Sequence, residues 1–150
     1  PVLRKDFTIN PYMIYQAKAY GASAILLICS ILDDAELHDY MQLADELHLD
    51  VLTETHSAGE IERAVNAGAR IIGVNNRNLK TFEVDVENSR RLRELAPRDA
   101  LFVSESGIKT SEDIRKLYEN EVDAVLIGET LMRSDDKKKA LETLNGEALK

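Results

Sequence analysis

Four polar residues close short apolar runs in this chain. Lys5 follows Pro1-Val2-Leu3-Arg4, Glu54 follows Val51-Leu52-Thr53, Asn75 follows Ile71-Ile72-Gly73-Val74, and Glu105 stands in Val103-Ser104-Glu105-Ser106-Gly107. Runs of this composition read as strands, so each polar group sits where a strand ends. A lysine in such a place is suited to be a general acid, a phosphate ligand or a Schiff-base former. Glu54 is suited to act as a base or to stabilise a cationic intermediate, and Glu105 is similar. Asn75 could orient a hydroxyl, and Arg77, two residues on, could bind an anion. Plainer readings stand beside these: Lys5 as a solvated side chain, Glu54 paired with a lysine, and Asn75-Asn76-Arg77 as a polar turn with Arg77 in a surface ion pair. An apolar strand ending Ser104-Glu105-Ser106-Gly107 is harder to read as core alone.

Two glycines look like a phosphate cradle. Gly107 and Gly128 each follow a candidate strand and permit close backbone approach, and Glu129–Arg133 could present helix N-terminal amides to an anion. His38 and His48 are expected on the polar side of one helix, at the surface. His56 lies just past Glu54 and reads as a loop residue within reach of a ligand. No Cys/His cluster has zinc spacing, and no Ser-His-Asp arrangement stands out. Cys29, the single cysteine, lies in an apolar run and reads as a small buried hydrophobe, which suits a reducing cytoplasm. Asp135-Asp136-Lys137-Lys138-Lys139 reads as a solvated helix start.

The elements that must position these residues alternate along the whole chain. Strands are predicted at Pro1–Lys5, Ala24–Ile28, Val51–Glu54, Ile71–Asn75, Leu101–Glu105 and Ala124–Ile127. They are nearly all apolar, as parallel strands covered on both faces must be. Between them, Asn10-Pro11 begins a helix that Gly21 ends. Asp34 opens the next, with Leu37, Tyr40, Met41, Ala44 and Leu47 on one face. Ser57 and Glu60 predict a capping box ahead of Ile61, Ala64 and Val65, with Gly68 as the stop. Asp85 opens a helix with Ser89, Leu92 and Leu95 inward, and Pro97 lies beyond its end. Thr110 with Asp113 starts another, carrying Ile114, Leu117 and Tyr118. The last helix is expected over about Ser134 to Leu144.

This βα repeat is compatible with an α/β barrel or an open doubly wound sheet. In a barrel all strand C-termini open onto one face, so Lys5, Glu54, Asn75 and Glu105 would converge on one ligand. An open sheet would concentrate function at a switch point and would usually carry a glycine-rich loop after its first strand, which is absent here. Barrel enzymes often bind phosphate after strands seven and eight. If Gly107 and Gly128 follow those strands, the first strand of this chain is strand three. The chain has 150 residues and a formal net charge of −8, with scattered Lys and Arg, which argues against a nucleic-acid partner. The apolar stretch Ala22–Leu32 is too short to span a bilayer. No signal-peptide pattern is present, and a cytoplasmic location is expected.

At this point the motifs resemble those of the indole-3-glycerol phosphate synthase family. Pro1-Val2-Leu3-Arg4-Lys5-Asp6-Phe7 is similar to that family's third-strand motif. Ala24–Ile28 resembles its fourth strand and the segment ending Thr53-Glu54 its fifth. Gly73-Val74-Asn75-Asn76-Arg77-Asn78-Leu79-Lys80-Thr81-Phe82 resembles the sixth strand and its loop. Val103-Ser104-Glu105-Ser106-Gly107-Ile108 and Ile127-Gly128-Glu129-Thr130-Leu131-Met132 resemble strands seven and eight. The resemblance implies a (β/α)8-barrel fragment, strands three to eight with their helices, in a single partial domain over residues 1–150. It implies the substrate 1-(2-carboxyphenylamino)-1-deoxyribulose 5-phosphate, closed to indole-3-glycerol phosphate with loss of CO2 and water in tryptophan biosynthesis, without a metal or cofactor. Lys5 would then be the general acid and Glu54 the stabiliser of the iminium, with Asn75 and Glu105 holding sugar hydroxyls. Ser106, Gly107, Gly128 and the backbone amide of Glu129 would line the phosphate end, with Arg77 nearby. Leu26 and Leu126, with Phe7, would wall the aryl ring.

Two substitutions depart from the family pattern: Asn78 replaces a usual Asp, where a loop effect is expected, and Glu121 replaces a common helix-ending Gly. Nothing in the chain corresponds to the leading helix and first two βα units, which in the family supply a further catalytic Glu and a Lys. A chain that begins at Pro1, inside a strand, looks cut from something longer. Six strands would leave unpaired edges, so self-association and weak or absent activity are expected. A non-catalytic, phosphate-binding or self-associating fragment is the competing expectation. A different ribose-phosphate barrel, such as phosphoribosylanthranilate isomerase, is disfavoured by the set Lys5, Glu54, Asn75, Glu105.

Overall fold

Six parallel strands, each followed by a helix, make one sheet in the order β1-β2-β3-β4-β5-β6. The computed structural model describes residues 1–78 and 81–146; Leu79 and Lys80 of the sixth-strand loop motif lie outside the described residues. The strands are β1 (Leu3–Arg4), β2 (Ala24–Ile28), β3 (Asp50–Thr55), β4 (Ile71–Asn75), β5 (Leu101–Glu105) and β6 (Ala124–Leu126). The helices are α1 (Pro11–Ala19), α2 (Asp34–Glu46), α3 (Ala58–Asn66), α4 (Glu87–Arg93), α5 (Ser111–Glu119), α6 (Glu129–Met132) and α7 (Lys137–Gly146). The sheet is a curled half-barrel, an open part of the (β/α)8 architecture. Among the described residues β1 and β6 each pair with one neighbour only.

Alternation along each strand sorts side chains between two apolar environments. Leu26, Ile28, Leu52 and Val103 cluster on the inner face, with Leu3, Ile71 and Leu126 packed against them. On the outer face, Ile25, Leu27 and Cys29 meet Ile14 and Ala17 of α1 and Leu37, Tyr40 and Ala44 of α2. Farther along, Ile72, Val74 and Phe102 meet Ile61, Leu92 and Leu117. Both faces are therefore covered, which is why the strand sequences read as continuous apolar runs. Burial pushes the Cys29 thiol up to about 12, the nearby Glu60 charge adding to it, so the side chain is an inert hydrophobe.

Local signals set most boundaries. Asn10 accepts from the Tyr12 N–H ahead of Pro11, and Thr110 with Asp113 forms a reciprocal capping box. Other expectations are corrected. α2 does open at Asp34, but the residue that caps it is Asp33, because Glu36 lies three residues on and returns its carboxylate to the Asp33 N–H. Ser57 caps α3, but Glu60 turns its carboxylate to His56 instead of closing a box. His48 stands past the end of α2 in a left-handed conformation, φ 53°, rather than on the helix. Leu95 and Tyr118 are exposed, since α4 and α5 bury only the narrow stripes Ser89/Leu92 and Leu117. The last helix, α7, begins at Lys137 and not at about Ser134, whose hydroxyl donates to the Asp136 carbonyl ahead of it.

The two family departures have local accounts. Asn78 Oδ1 accepts from the Thr81 N–H at 3.2 Å, a role open equally to an Asp oxygen. Glu121 has φ 56°, the conformation in which a helix-ending glycine is unstrained, and its carboxylate is held by Arg98.

A buried polar network ties the sheet to α4. Asn76 donates through Nδ2 to Ser104 Oγ at 3.0 Å and accepts through Oδ1 from the Ser89 hydroxyl at 2.8 Å. The same Nδ2 donates to the Ser106 carbonyl at 3.1 Å, fixing the turn beyond β5. Gly73 serves the sheet differently. A Cβ there would lie 2.2 Å from Glu105 Oε1 and 3.1 Å from Leu52 Cδ1, so the missing side chain is the space in which the Glu105 carboxylate sits. Gly73→Ala is expected to displace Glu105 and cost about 1–3 kcal/mol by overpacking. Urea unfolding of the variant measures this, and an unchanged midpoint would refute the packing account.

Candidate active site

Register brings the polar strand tips together. Asn75 is paired with Glu105, Glu105 with Leu126, and Glu54 with Gly73 and Ile28, so these residues stand at or next to one level of the inner face. Lys5, one residue past β1, reaches across the half-barrel. Its Nζ lies 3.4 Å from Glu54 Oε2 and 3.5 Å from Glu105 Oε2. Lys5 is 40% exposed while the two carboxylates are 2% and 1% exposed, so one accessible ammonium serves two buried acids. Asn75 Nδ2 donates to Glu54 Oε1 at 3.1 Å, and Asn75 Oδ1 accepts the Arg77 N–H at 3.0 Å.

Glu105 is the least satisfied member. Beyond the Lys5 ion pair, nothing among the described residues donates to either of its oxygens. Its pKa is raised to about 7, chiefly by burial and then by the charge on Glu54, against the opposing pull of Lys5 and His56. Glu105 thus keeps its proton close to neutrality, and Lys5 lies beside both carboxylates.

The same mouth opens into a cavity of about 720 Å³ lined in part by Lys5, Arg77, Ser106, Gly107, Leu126, Gly128 and Glu129. Ser106 and Gly107 both have positive φ, 67° and 82°, turning the chain sharply beyond β5. At Gly107 a Cβ would meet Val84 Cγ1 at 2.4 Å, so the glycine makes room for Val84, which forms an antiparallel bridge with Arg77. Gly128 differs: its φ is −105° and a Cβ there would meet nothing, so the fold itself does not demand glycine. The exposed Glu129 carboxylate pairs with Arg77 at 2.7 Å and Arg133 at 3.0 Å. Those two guanidiniums depress its pKa, Arg133 most.

The residues expected for the aryl wall divide. Leu26 and Leu126 belong to one inner cluster, Leu26 sealed and Leu126 half-buried. Phe7 is 60% exposed and packs in none of the clusters. Reading the sequence missed Lys109 and Arg133, which also line the large cavity; each sits in an ordinary helix-flanking context that gives no signal. It also left His56 as a loop residue, whereas the ring sits between Glu54 and Glu60. A second cavity of about 650 Å³, lined by His56, Asn75 and Asn76, adjoins on the helix side. No group of three or more His, Cys, Asp and Glu among the described residues is arranged to hold a metal ion.

The family model for indole-3-glycerol phosphate synthase matches residues 1–144. The chain belongs to the indole-3-glycerol phosphate synthase family. The synthase of Ruminiclostridium cellulolyticum is 58% identical over 148 residues, 99% of this chain and 57% of that protein. That of Leuconostoc mesenteroides is 57% identical over 147 residues, 98% of this chain and 56% of that protein. The chain therefore spans little more than half the length of these synthases. Among solved structures, 3-hexulose-6-phosphate synthase from Salmonella typhimurium superposes with a TM-score of 0.81 at 15% identity, covering 99% of this chain and 72% of that one. A mandelate oxidase mutant superposes at 0.75 with 17% identity, covering 98% and 56%. These likenesses show the fold that the synthase family shares with other α/β barrels.

Proposed function

We propose that this chain carries the strand-three to strand-eight part of an indole-3-glycerol phosphate synthase site, acting on 1-(2-carboxyphenylamino)-1-deoxyribulose 5-phosphate in tryptophan biosynthesis. The observation that carries the reading is the Lys5 ammonium, 3.4 Å and 3.5 Å from two buried carboxylates at the edge of a cavity ending in Gly107 and Gly128. In the first step an aryl carbon bonds to the ribulose carbonyl carbon, and Lys5 passes a proton to the carbonyl oxygen, which becomes a hydroxyl. The ring nitrogen is left as an iminium, and Glu54 stabilises that cation. Loss of CO2 returns an electron pair to the ring. Loss of the hydroxyl as water, with proton transfer assisted by Glu54, completes the indole. Asn75 and Glu105 hold sugar hydroxyls. Ser106, Gly107, Gly128 and the Glu129 amide take the phosphate, with Arg77 exchanging its Glu129 partner for it. Leu26, Leu126 and the exposed Phe7 meet the aryl ring.

The chain corresponds to one domain's strands three to eight with their helices, a carboxy-lyase by family and cytoplasmic. Among the described residues no helix is long and apolar enough to cross a membrane. The open edges at β1 and β6 favour a second reading, in which the chain alone binds ligand and self-associates without turnover. Calorimetric titration with a reduced, non-reacting substrate analogue, followed by a turnover assay, separates the two. Binding with product formation supports the enzyme, binding alone the fragment. No binding of the analogue defeats both. Light scattering after size exclusion is expected to show species larger than a monomer.

A further inference from the structure

We propose that His56 is a positioning residue: anchored through Nδ1 by Glu60, its imidazolium holds Oε1 of Glu54 and fixes that carboxylate at the barrel mouth. The catalytic meaning of this rests on the synthase reading above; its structural content does not.

The ring stands between two acids. Nδ1 is 3.3 Å from Glu60 Oε2 and Nε2 is 3.3 Å from Glu54 Oε1. Nε2 is sealed from solvent and has no well-aligned hydrogen-bond partner besides this ion-pair contact. A neutral imidazole owns one N–H, so it would turn a bare lone pair towards one of the carboxylates; only the doubly protonated ring suits both. Glu60 is itself committed to this place. Its Oε2 accepts the His56 backbone N–H at 2.7 Å, which is why it does not close a capping box with Ser57.

The consequence falls on Glu54. Its Oε1 meets Asn75 and His56, and its Oε2 meets Lys5. Both oxygens are thereby oriented from three strands or their loops, leaving the carboxylate one aim. The charges facing His56 are Glu54 on β3, Glu60 on α3 and, farther off, Glu105 on β5. Glu83, Asp85 and Arg91 face it across the adjoining cavity, and Asn88 of α4 donates to its carbonyl. Arg63 acts on Glu60 from the same helix. Burial alone would lower the His56 pKa; the Glu60 hydrogen bond and the Glu54, Glu60 and Glu105 charges reverse that and raise it.

The chain has three histidines, and the exposed His38 and His48 serve as internal references for an NMR titration. His56 is expected to titrate above both, with both ring nitrogens protonated at neutral pH, and to fall in Glu60→Gln and again in Glu54→Gln. A His56 that titrates with or below the two references, or that ignores both substitutions, overturns the proposal. Should Glu54→Gln fail to fold, Glu60→Gln and the nitrogen shifts of the unaltered chain still decide. In calorimetry with the reduced analogue, His56→Ala is expected to weaken binding roughly tenfold, and His56→Gln, which retains a donor near Nε2, to recover part of it. Equal loss in the two variants contradicts positioning through Glu54. Failure of the unaltered chain to bind analogue would instead refute the synthase reading, with the histidine titration still deciding the contact.

Discussion

Lys5→Met is expected to remove turnover while leaving the sheet folded. Lys5 is partly exposed at the tip of a two-residue strand, so few packing contacts depend on its ammonium. The proposed chemistry needs it as the proton donor. It is the one cation among the described residues within 4 Å of both Glu54 and Glu105. A missing general acid typically costs about 10²–10⁴-fold in rate. The test is kcat in a form extended to the length of the family's relatives, so that the barrel closes, with analogue affinity measured alongside. A proton donor that acts on the reacting carbonyl predicts a fall in kcat larger than any loss of affinity. Turnover within tenfold of the parent would remove Lys5 from that role.

Glu105→Gln is expected to stabilise the fold in alkaline solution and to be nearly neutral in acid. The sign follows from the protonation states. Folding raises the Glu105 pKa from 4.5 to about 7, chiefly by burial and then by the Glu54 charge. Below the unfolded value the side chain is protonated in both states and costs nothing. As pH rises towards about 7 the unfolded chain ionises while the folded one resists, and stability is progressively lost; above that value the loss is complete. The shift corresponds to roughly 3 kcal/mol, an upper bound because neighbouring charges can rearrange around the ionised carboxylate. Thermal melts of parent and variant at about pH 4 and about pH 9 read the effect directly. A constant difference between them at both pH values would show that ionisation of Glu105 is not the source.

Both predictions concern a cluster in which acids outnumber cations. Glu54, Glu105 and Glu60 face Lys5 and His56. A proton on Glu105, which burial favours, balances this count. In the proposed reaction, a substrate amine that becomes cationic during ring closure would enter a site whose acids outnumber its cations once Glu105 ionises. The family resemblance gives Glu54 that stabilising role, and the surroundings of Glu54 supply an electrostatic reason for it.

The sequence by itself determined the repeating βα order and most of the strands. Ala24–Ile28, Ile71–Asn75 and Leu101–Glu105 have the expected bounds because runs covered on both faces must be apolar end to end. It also placed Lys5, Glu54, Asn75 and Glu105 at strand tips, since a polar residue closing such a run has nowhere to go but the open end. What surrounds those tips was decided by tertiary structure. Glu105 fits because Gly73, on the neighbouring strand, lacks a side chain. Arg77 meets Glu129 across 52 residues, and Asn76 joins Ser89 to Ser104. His56 meets Glu54 and Glu60 on its two nitrogens only when strand and helix are packed together. Periodicity and capping are local and leave a mark on neighbouring residues. Pairings across strands depend on register and curvature, and the residue types at two distant positions carry no record of the distance between them.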